Sequence, residues 1–312
     1  TGIRVFFARR LKDKGALAKG GIHGGRGLYR RDRARRGGRR CNIHAGSFCF
    51  RHRRRIRHRR RIRREPYAGG AGASVKLLLE GKVSRLILND LDPAIYAFWW
   101  AVTNAADELS NMVSETPITL EEWKRQREIS RRKDSRDLLA LGFSTLYMSR
   151  CNRSGILTAN PIGGIKQTGT YKIDARFNKQ RLLEKIKKIA EKSHLIDVRN
   201  TSCERLLAGF KRRKDTSNIL VYLDPPYFQK GPSLYLNHYN AKDHEKLARL
   251  ILSCKFNWIL SYDCHEEIRQ LYSSVPQYKS TLRYTILGNV AAYELIASNL
   301  KMPTCLERLS RR

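Results

Sequence analysis

The sequence predicts an α/β fold built on a parallel sheet, and three observations carry that prediction. The run Ile219-Leu220-Val221-Tyr222-Leu223 is short, apolar and rich in β-branched and aromatic residues, the pattern of a strand buried on both faces. A glycine-rich turn, Glu65-Pro66-Tyr67-Ala68-Gly69-Gly70-Ala71-Gly72-Ala73-Ser74, runs into a helical stretch and then a strand, Arg85–Leu88, that ends on an acid. A second buried-strand pattern occupies Phe256–Asp263, after an amphipathic stretch at Ala241–Leu252.

The central run stops at Asp224-Pro225-Pro226-Tyr227. Ligands in open α/β sheets bind beyond the carboxyl ends of the strands, so this is where chemistry is expected. Asp224 and Pro225 each precede a proline, which pushes them toward extended backbone. A stiff loop results, presenting two acceptors, the Asp224 carboxylate and the Pro225 carbonyl, beside an aromatic ring. Such a pair suits the methylation of an exocyclic amine. The lone pair of that nitrogen is delocalised into its ring, and acceptors at both N–H bonds stabilise the positive charge that develops on attack. Tyr227 is expected to stack on a base turned out of a duplex.

The remaining elements follow in order. Glycines at a helix N-terminus let backbone approach a ligand, and an acid about 20 positions further on, at a strand's end, is where a ribose diol is held. Asp90 stands there. Residues 94–150 read helical, with Ile95, Phe98, Trp99 and Val102 followed by Leu138, Leu139, Leu141, Phe143, Leu146 and Tyr147. A long polar stretch, 149–179, carries the Asn, Gln, Arg and Lys side chains that contact bases and phosphates. Leu182–Ala190 reads as a helix and His194–Val198 as a short strand. Lys211–Lys214 reads as surface, Glu266–Tyr272 as a helix, and Ser280–Ala297 as two edge strands around Gly288.

Charge sets the partner class. The 312 residues hold 63 basic and 28 acidic side chains, a formal +35, which argues for a polyanion and for nucleic acid before membrane. Residues 1–64 alone hold 24 basic and 2 acidic side chains. That segment has too few apolar residues to offset ordering entropy, and its composition changes abruptly at Glu65. It reads as disordered, or as translated in a different frame. Its Cys41-x2-His44 and Cys49-x2-His52 pairs lie too close for two ligand pairs, and no metal is expected. Seven cysteines without a CxxC pair suit reduced thiols, and no apolar run is long enough for a membrane span, so a cytoplasmic monomer is expected.

With these pieces placed, the chain resembles the D12 class of DNA adenine-N6 methyltransferases, the family that includes the bacterial Dam enzymes. The resemblance runs from Glu65 to about Asn299. It rests on EPYAGGAG with NDLDP, NRSGI with PIGG and YKIDARFNK, LDPPY, and WILSYD with YELIASN, in the family's order. It implies a Rossmann-like S-adenosylmethionine-dependent methyltransferase sheet with a mostly helical DNA-recognition insertion. On this basis residues 65–105 and 195–300 would form the catalytic domain, 106–194 the insertion and 301–312 a basic tail. The resemblance implies a cofactor site of Glu65, Pro66, Tyr67, Ala68, Gly69, Gly70, Asp90 and Asp224, with S-adenosylmethionine as cofactor. It implies a catalytic loop of Asp224, Pro225, Pro226 and Tyr227, and contacts to double-stranded DNA from Asn152, Arg153, Lys172 and Arg176. One departure stands out. Family members have an apolar strand before the EPYAGG loop, whereas Ile56–Arg64 is mostly arginine and is not expected to form a buried strand. The alternative function is therefore a non-catalytic, decayed homologue that still grips nucleic acid.

Overall fold

The computed structural model describes residues 62–211, 215–228, 239–284, 290–302 and 307–308. The predicted arm, with its two Cys/His pairs, otherwise lies outside them.

Among the described residues the sheet has eight strands in the order β3-β2-β1-β4-β5-β7-β6-β8. These are β1 (Ile62–Glu65), β2 (Arg85–Asn89), β3 (Ile196–Arg199), β4 (Ile219–Leu223), β5 (Asn257–Asp263), β6 (Gln277–Tyr284), β7 (Val290–Ser298) and β8 (Glu307–Arg308). The first five are parallel, and β7, β6 and β8 add antiparallel pairings. The expected α/β class is thus observed. Chain order runs outward from β1 through β2 to β3, then returns to place β4 on the other side of β1. The reversal between β1 and β4 is the switch point at whose carboxyl ends sheets of this kind take their ligands.

Two elements differ from expectation. The hairpin of β6 and β7 was expected at an edge, yet β7 lies between β5 and β6 and continues the sheet. More consequentially, Ile62–Glu65 is a strand, paired in parallel with both β2 and β4. Arg63 and Arg64 are only 5% and 1% exposed. Successive strand residues point to opposite faces, so each arginine faces a different layer. Arg63 lies 5.0 Å from the ring centroid of Tyr222, and Arg64 lies 3.5 Å from that of Phe210. Aromatic faces attract guanidinium groups, which partly offsets desolvation. It does not abolish the cost: burial pulls the Arg63 pKa below its ordinary value despite the nearby Glu65 carboxyl.

The helices are α1 (Gly72–Leu79), α2 (Pro93–Asn104), α3 (Ala106–Glu115), α4 (Leu120–Arg132), α5 (Leu138–Cys151), α6 (Lys179–Ala190), α7 (Cys203–Lys211), α8 (Ala241–Leu252) and α9 (Glu266–Leu271). Helix α7 is absent from the sequence reading, where its basic end was taken for surface. Asp92 caps α2 by accepting from the Ala94 amide, with Pro93 in the first turn, where its missing N–H costs nothing. One apolar core runs continuously from α1, β2 and α2 into α3–α6: Val75, Leu86, Leu88, Phe98, Trp99, Leu109, Trp123, Tyr147, Leu182 and Ile189 all belong to it. A second core covers β4 and β5 with α7, α8 and α9.

Helices α2 and α5 cross at closest approach through Gly142. A Cβ there would meet the Ala97 carbonyl oxygen at 2.5 Å and the Ala101 Cβ at 3.0 Å. Gly142→Ala is therefore expected to destabilise the fold by about 2 kcal/mol despite alanine's better helix propensity, seen as a drop of several degrees in melting temperature.

Candidate active site

The candidate site is built from the ends of β1, β2 and β4. From β1 the chain turns through Pro66–Ala71, with Gly69 at φ 44° and Ala71 at φ 42° before α1 begins. A left-handed backbone is natural for Gly69 and strained for Ala71. The turn is held from three sides. The Gly69 amide donates to Asp90 Oδ2 at 3.0 Å, and the Trp99 indole N–H donates to the Gly69 carbonyl at 2.9 Å. Asn89 Nδ2 donates to the Pro66 carbonyl at 2.9 Å. Asp90 also accepts from the Asp92 amide at 3.0 Å. These two amide donors stabilise its charged form, but burial outweighs them and pushes its pKa up to about 6.

Asp224 is one residue past β4. Arg64 pairs with Val221, so Asp224 follows β4 beside the end of β1, and its charge reaches Glu65. The Ser261 hydroxyl, from β5, donates to Asp224 Oδ1 at 3.0 Å. With that proton committed, Ser261 Oγ accepts from the Tyr222 hydroxyl at 3.0 Å. Burial raises the Asp224 pKa, and the Ser261 bond opposes that rise. Glu65, buried at the tip of β1, is pushed up to about 7 by burial, against the pull of Arg63 and with the charges of Asp224 and Asp90 adding to the rise. In a protein this basic, the candidate site is a concentrated patch of acid.

Tyr227 is 7% exposed, and its hydroxyl donates to Glu294 Oε1 at 2.6 Å across to β7. The expected stacking role thus has only a small part of the ring to work with. Phe228, next in the chain, is more open, with its amide on Asp263 Oδ1 at 2.9 Å and its ring against His244 and His265. Tyr67 is tied to Tyr239 through their hydroxyls at 2.9 Å.

The structure therefore brings together the residues expected at the catalytic and cofactor sites: Glu65 to Gly70, Asp90, and Asp224 to Tyr227. The residues assigned to DNA form a separate group around the end of α5, and not all of them face outward. Asn152 is fully buried. Its Oδ1 accepts from the Trp123 indole at 2.7 Å, and its Nδ2 donates to the Ile156 and Leu157 carbonyls, both at 2.9 Å. Its side chain thus ties the 152–157 turn to Trp123 of α4 and leaves no exposed surface for the expected contact with DNA. Arg153 and Lys172 are exposed, and Arg176 is half-buried. Lys172 Nζ donates to the Gln167 carbonyl at 2.6 Å, and Arg176 Nη1 donates to the Asn152 carbonyl at 3.5 Å.

Three cations that the sequence reading did not single out join them: Arg150, Arg181 and Lys185. Arg150 donates from Nε to the Arg176 carbonyl at 2.7 Å. Burial, then the neighbouring Arg176 and Arg181, lowers its pKa to about 10. Lys185 falls to about 8, from burial and then from Arg181 and Arg150. The i,i+4 spacing of Arg181 and Lys185 on α6 was the available signal.

Among the described residues no group of His, Cys, Asp and Glu could hold a metal ion, and no helix is long and apolar enough to cross a membrane.

Compared with known proteins, residues 54–286 match the family model described as D12 class N6 adenine-specific DNA methyltransferase. The chain belongs to that family. A D12-class chain is a methyltransferase by kinship, and its sheet with the helical region between β2 and β3 is the Rossmann-like architecture expected of one. A search of curated proteins finds no match. Among solved structures, the chain is similar to the rRNA methyltransferase aviRa from Streptomyces viridochromogenes. The identity is 14%, over 80% of this chain and 76% of that one, with a TM-score of 0.31.

Proposed function

We propose that this D12-class protein transfers a methyl group from S-adenosylmethionine to the exocyclic amine of an adenine turned out of double-stranded DNA. The observation that carries the proposal is the placement of Asp224 and Pro225 at the switch point of the sheet, beside the glycine turn and Asp90.

The residues present suit the cofactor. Asp90 is fixed by two backbone amides and would accept the hydroxyls of a ribose, and Tyr67, Gly69 and Gly70 offer a turn whose backbone can come close to the methionine end. Glu65 is buried beside this turn, where Arg63 and Ser74 favour its charged form. When bound, the cofactor supplies the methyl group as a sulfonium electrophile. Asp224 and the Pro225 carbonyl accept the two N–H bonds of the target amine and stabilise its growing positive charge. The methylated nitrogen must then lose a proton, and an Asp224 carboxylate made more basic by burial is placed to take it.

Residues 106–194 act in this proposal as the DNA-recognition insertion. Arg153, Lys172 and Arg176 contact the duplex, with Arg150, Arg181 and Lys185 adding phosphate attraction.

Incubation of the protein with tritiated S-adenosylmethionine and unmethylated duplex DNA tests the proposal, with digestion to locate N6-methyladenine. Label in adenine is expected. DNA binding without any transfer would instead support the decayed homologue, for which the arginines in β1 are the specific observation.

A further inference from the structure

We propose that Glu294 is a positioning residue: from β7 it pins the hydroxyl of Tyr227 and so fixes the loop that presents Asp224 and Pro225. This rests on the reading of that loop as the amine-binding element. Four observations support it. The Tyr227 hydroxyl reaches Glu294 Oε1 at 2.6 Å, a short bond for a hydroxyl donor. Tyr227 is the last residue of the Asp224–Tyr227 loop, and the two prolines before it transmit any constraint on it stiffly. The ring is packed into the same core as Val221 and Leu223, so pinning its far end leaves it no freedom to swing. The register of β7 on β5 places Glu294 opposite Asp263, whose Oδ1 holds the Phe228 amide at 2.9 Å. The two acids on adjacent strands thus grip consecutive residues of one loop.

Glu294 also stands close enough to Asp224 to feel its charge. Burial first, and Asp224 next, raise the Glu294 pKa to about 7, against the Tyr227 bond. This gives a readout independent of activity. A carboxyl whose folded pKa lies above its unfolded value lowers stability as pH rises between the two. Glu294→Gln removes that loss while its amide oxygen still accepts from Tyr227. Its melting temperature relative to wild type should therefore climb by several degrees from about pH 5 to about pH 8. A difference that stays flat with pH would overturn the placement of Glu294.

The positioning role is read in methyl transfer. Glu294→Ala should lower kcat about tenfold with a smaller change in KM for DNA, and Glu294→Gln should restore most of that loss. In a Tyr227→Phe background, Glu294→Ala should cost less than about twofold, because the pin is already gone. Full additivity, or no rescue by glutamine, would overturn the role. If the wild-type protein transfers no methyl to DNA, the functional reading fails, while the pH dependence of melting still decides where Glu294 sits.

Discussion

Replacing Arg63 by Leu and Arg64 by Met is expected to stabilise the protein by about 1–4 kcal/mol and to raise its melting temperature by several degrees. Both guanidinium groups are buried in an interior strand flanked by β2 and β4. Removing a charge from water costs several kcal/mol, and the cation–π contacts with Tyr222 and Phe210, with the Glu65 charge beside Arg63, return part of it. Leucine and methionine fill part of the same space with apolar groups and carry no such deficit. The two sites face opposite layers and touch different aromatic rings, so their effects should be nearly additive. Thermal or urea denaturation of the single and double variants checks this. A melting temperature at or below wild type in both singles would show that the aromatic contacts more than offset the desolvation. Arg63 has a second effect: its charge lowers the pKa of Glu65, so Arg63→Leu should also make Glu65 harder to ionise.

Asp224→Ala is expected to lower methyl transfer about a thousandfold or more, leaving DNA binding within a few-fold of wild type. The change removes one of two acceptors for the amine, the candidate base for its proton, and the partner of Ser261 Oγ. Asp224→Asn should fall in between, since the amide oxygen still accepts one N–H bond but cannot take up a proton. Single-turnover transfer, measured beside a DNA-binding titration, separates chemistry from recognition. Transfer by the alanine variant within about tenfold of wild type would remove Asp224 from the reaction.

Much of this site was legible in the sequence because its parts are chemically unusual. Two prolines after an acid at the end of an apolar run have few structural explanations, and an acid about 20 residues past a glycine turn has a known geometric use. What escaped notice was governed by burial. Arginine in a central strand was priced as an unpaired charge, whereas Tyr222 and Phe210 provide faces for it, a pairing visible only once β4 and α7 are in place. Asn152 looks the same in a string whether it reads a base or closes a turn, and it was Trp123, far upstream, that committed it to the second role. Glu294 sits in an ordinary strand pattern, and nothing local marks it as the neighbour of Tyr227. Helix α7 was hidden because its last residue, Lys211, opens the basic run read as surface.

The continuous core shared by α1, β2, α2 and the helices α3–α6 bears on any attempt to retarget the protein. A chimera cut at the formal borders of the insertion, near 106 and 194, would sever Trp99 and Phe98 from Leu109, Trp123 and Tyr147, and expose both halves of a single apolar interior. On the proposed reading, new sequence preferences would have to be introduced through the loop at 153–176 alone, or by transplanting everything from the glycine turn through α6 as one piece.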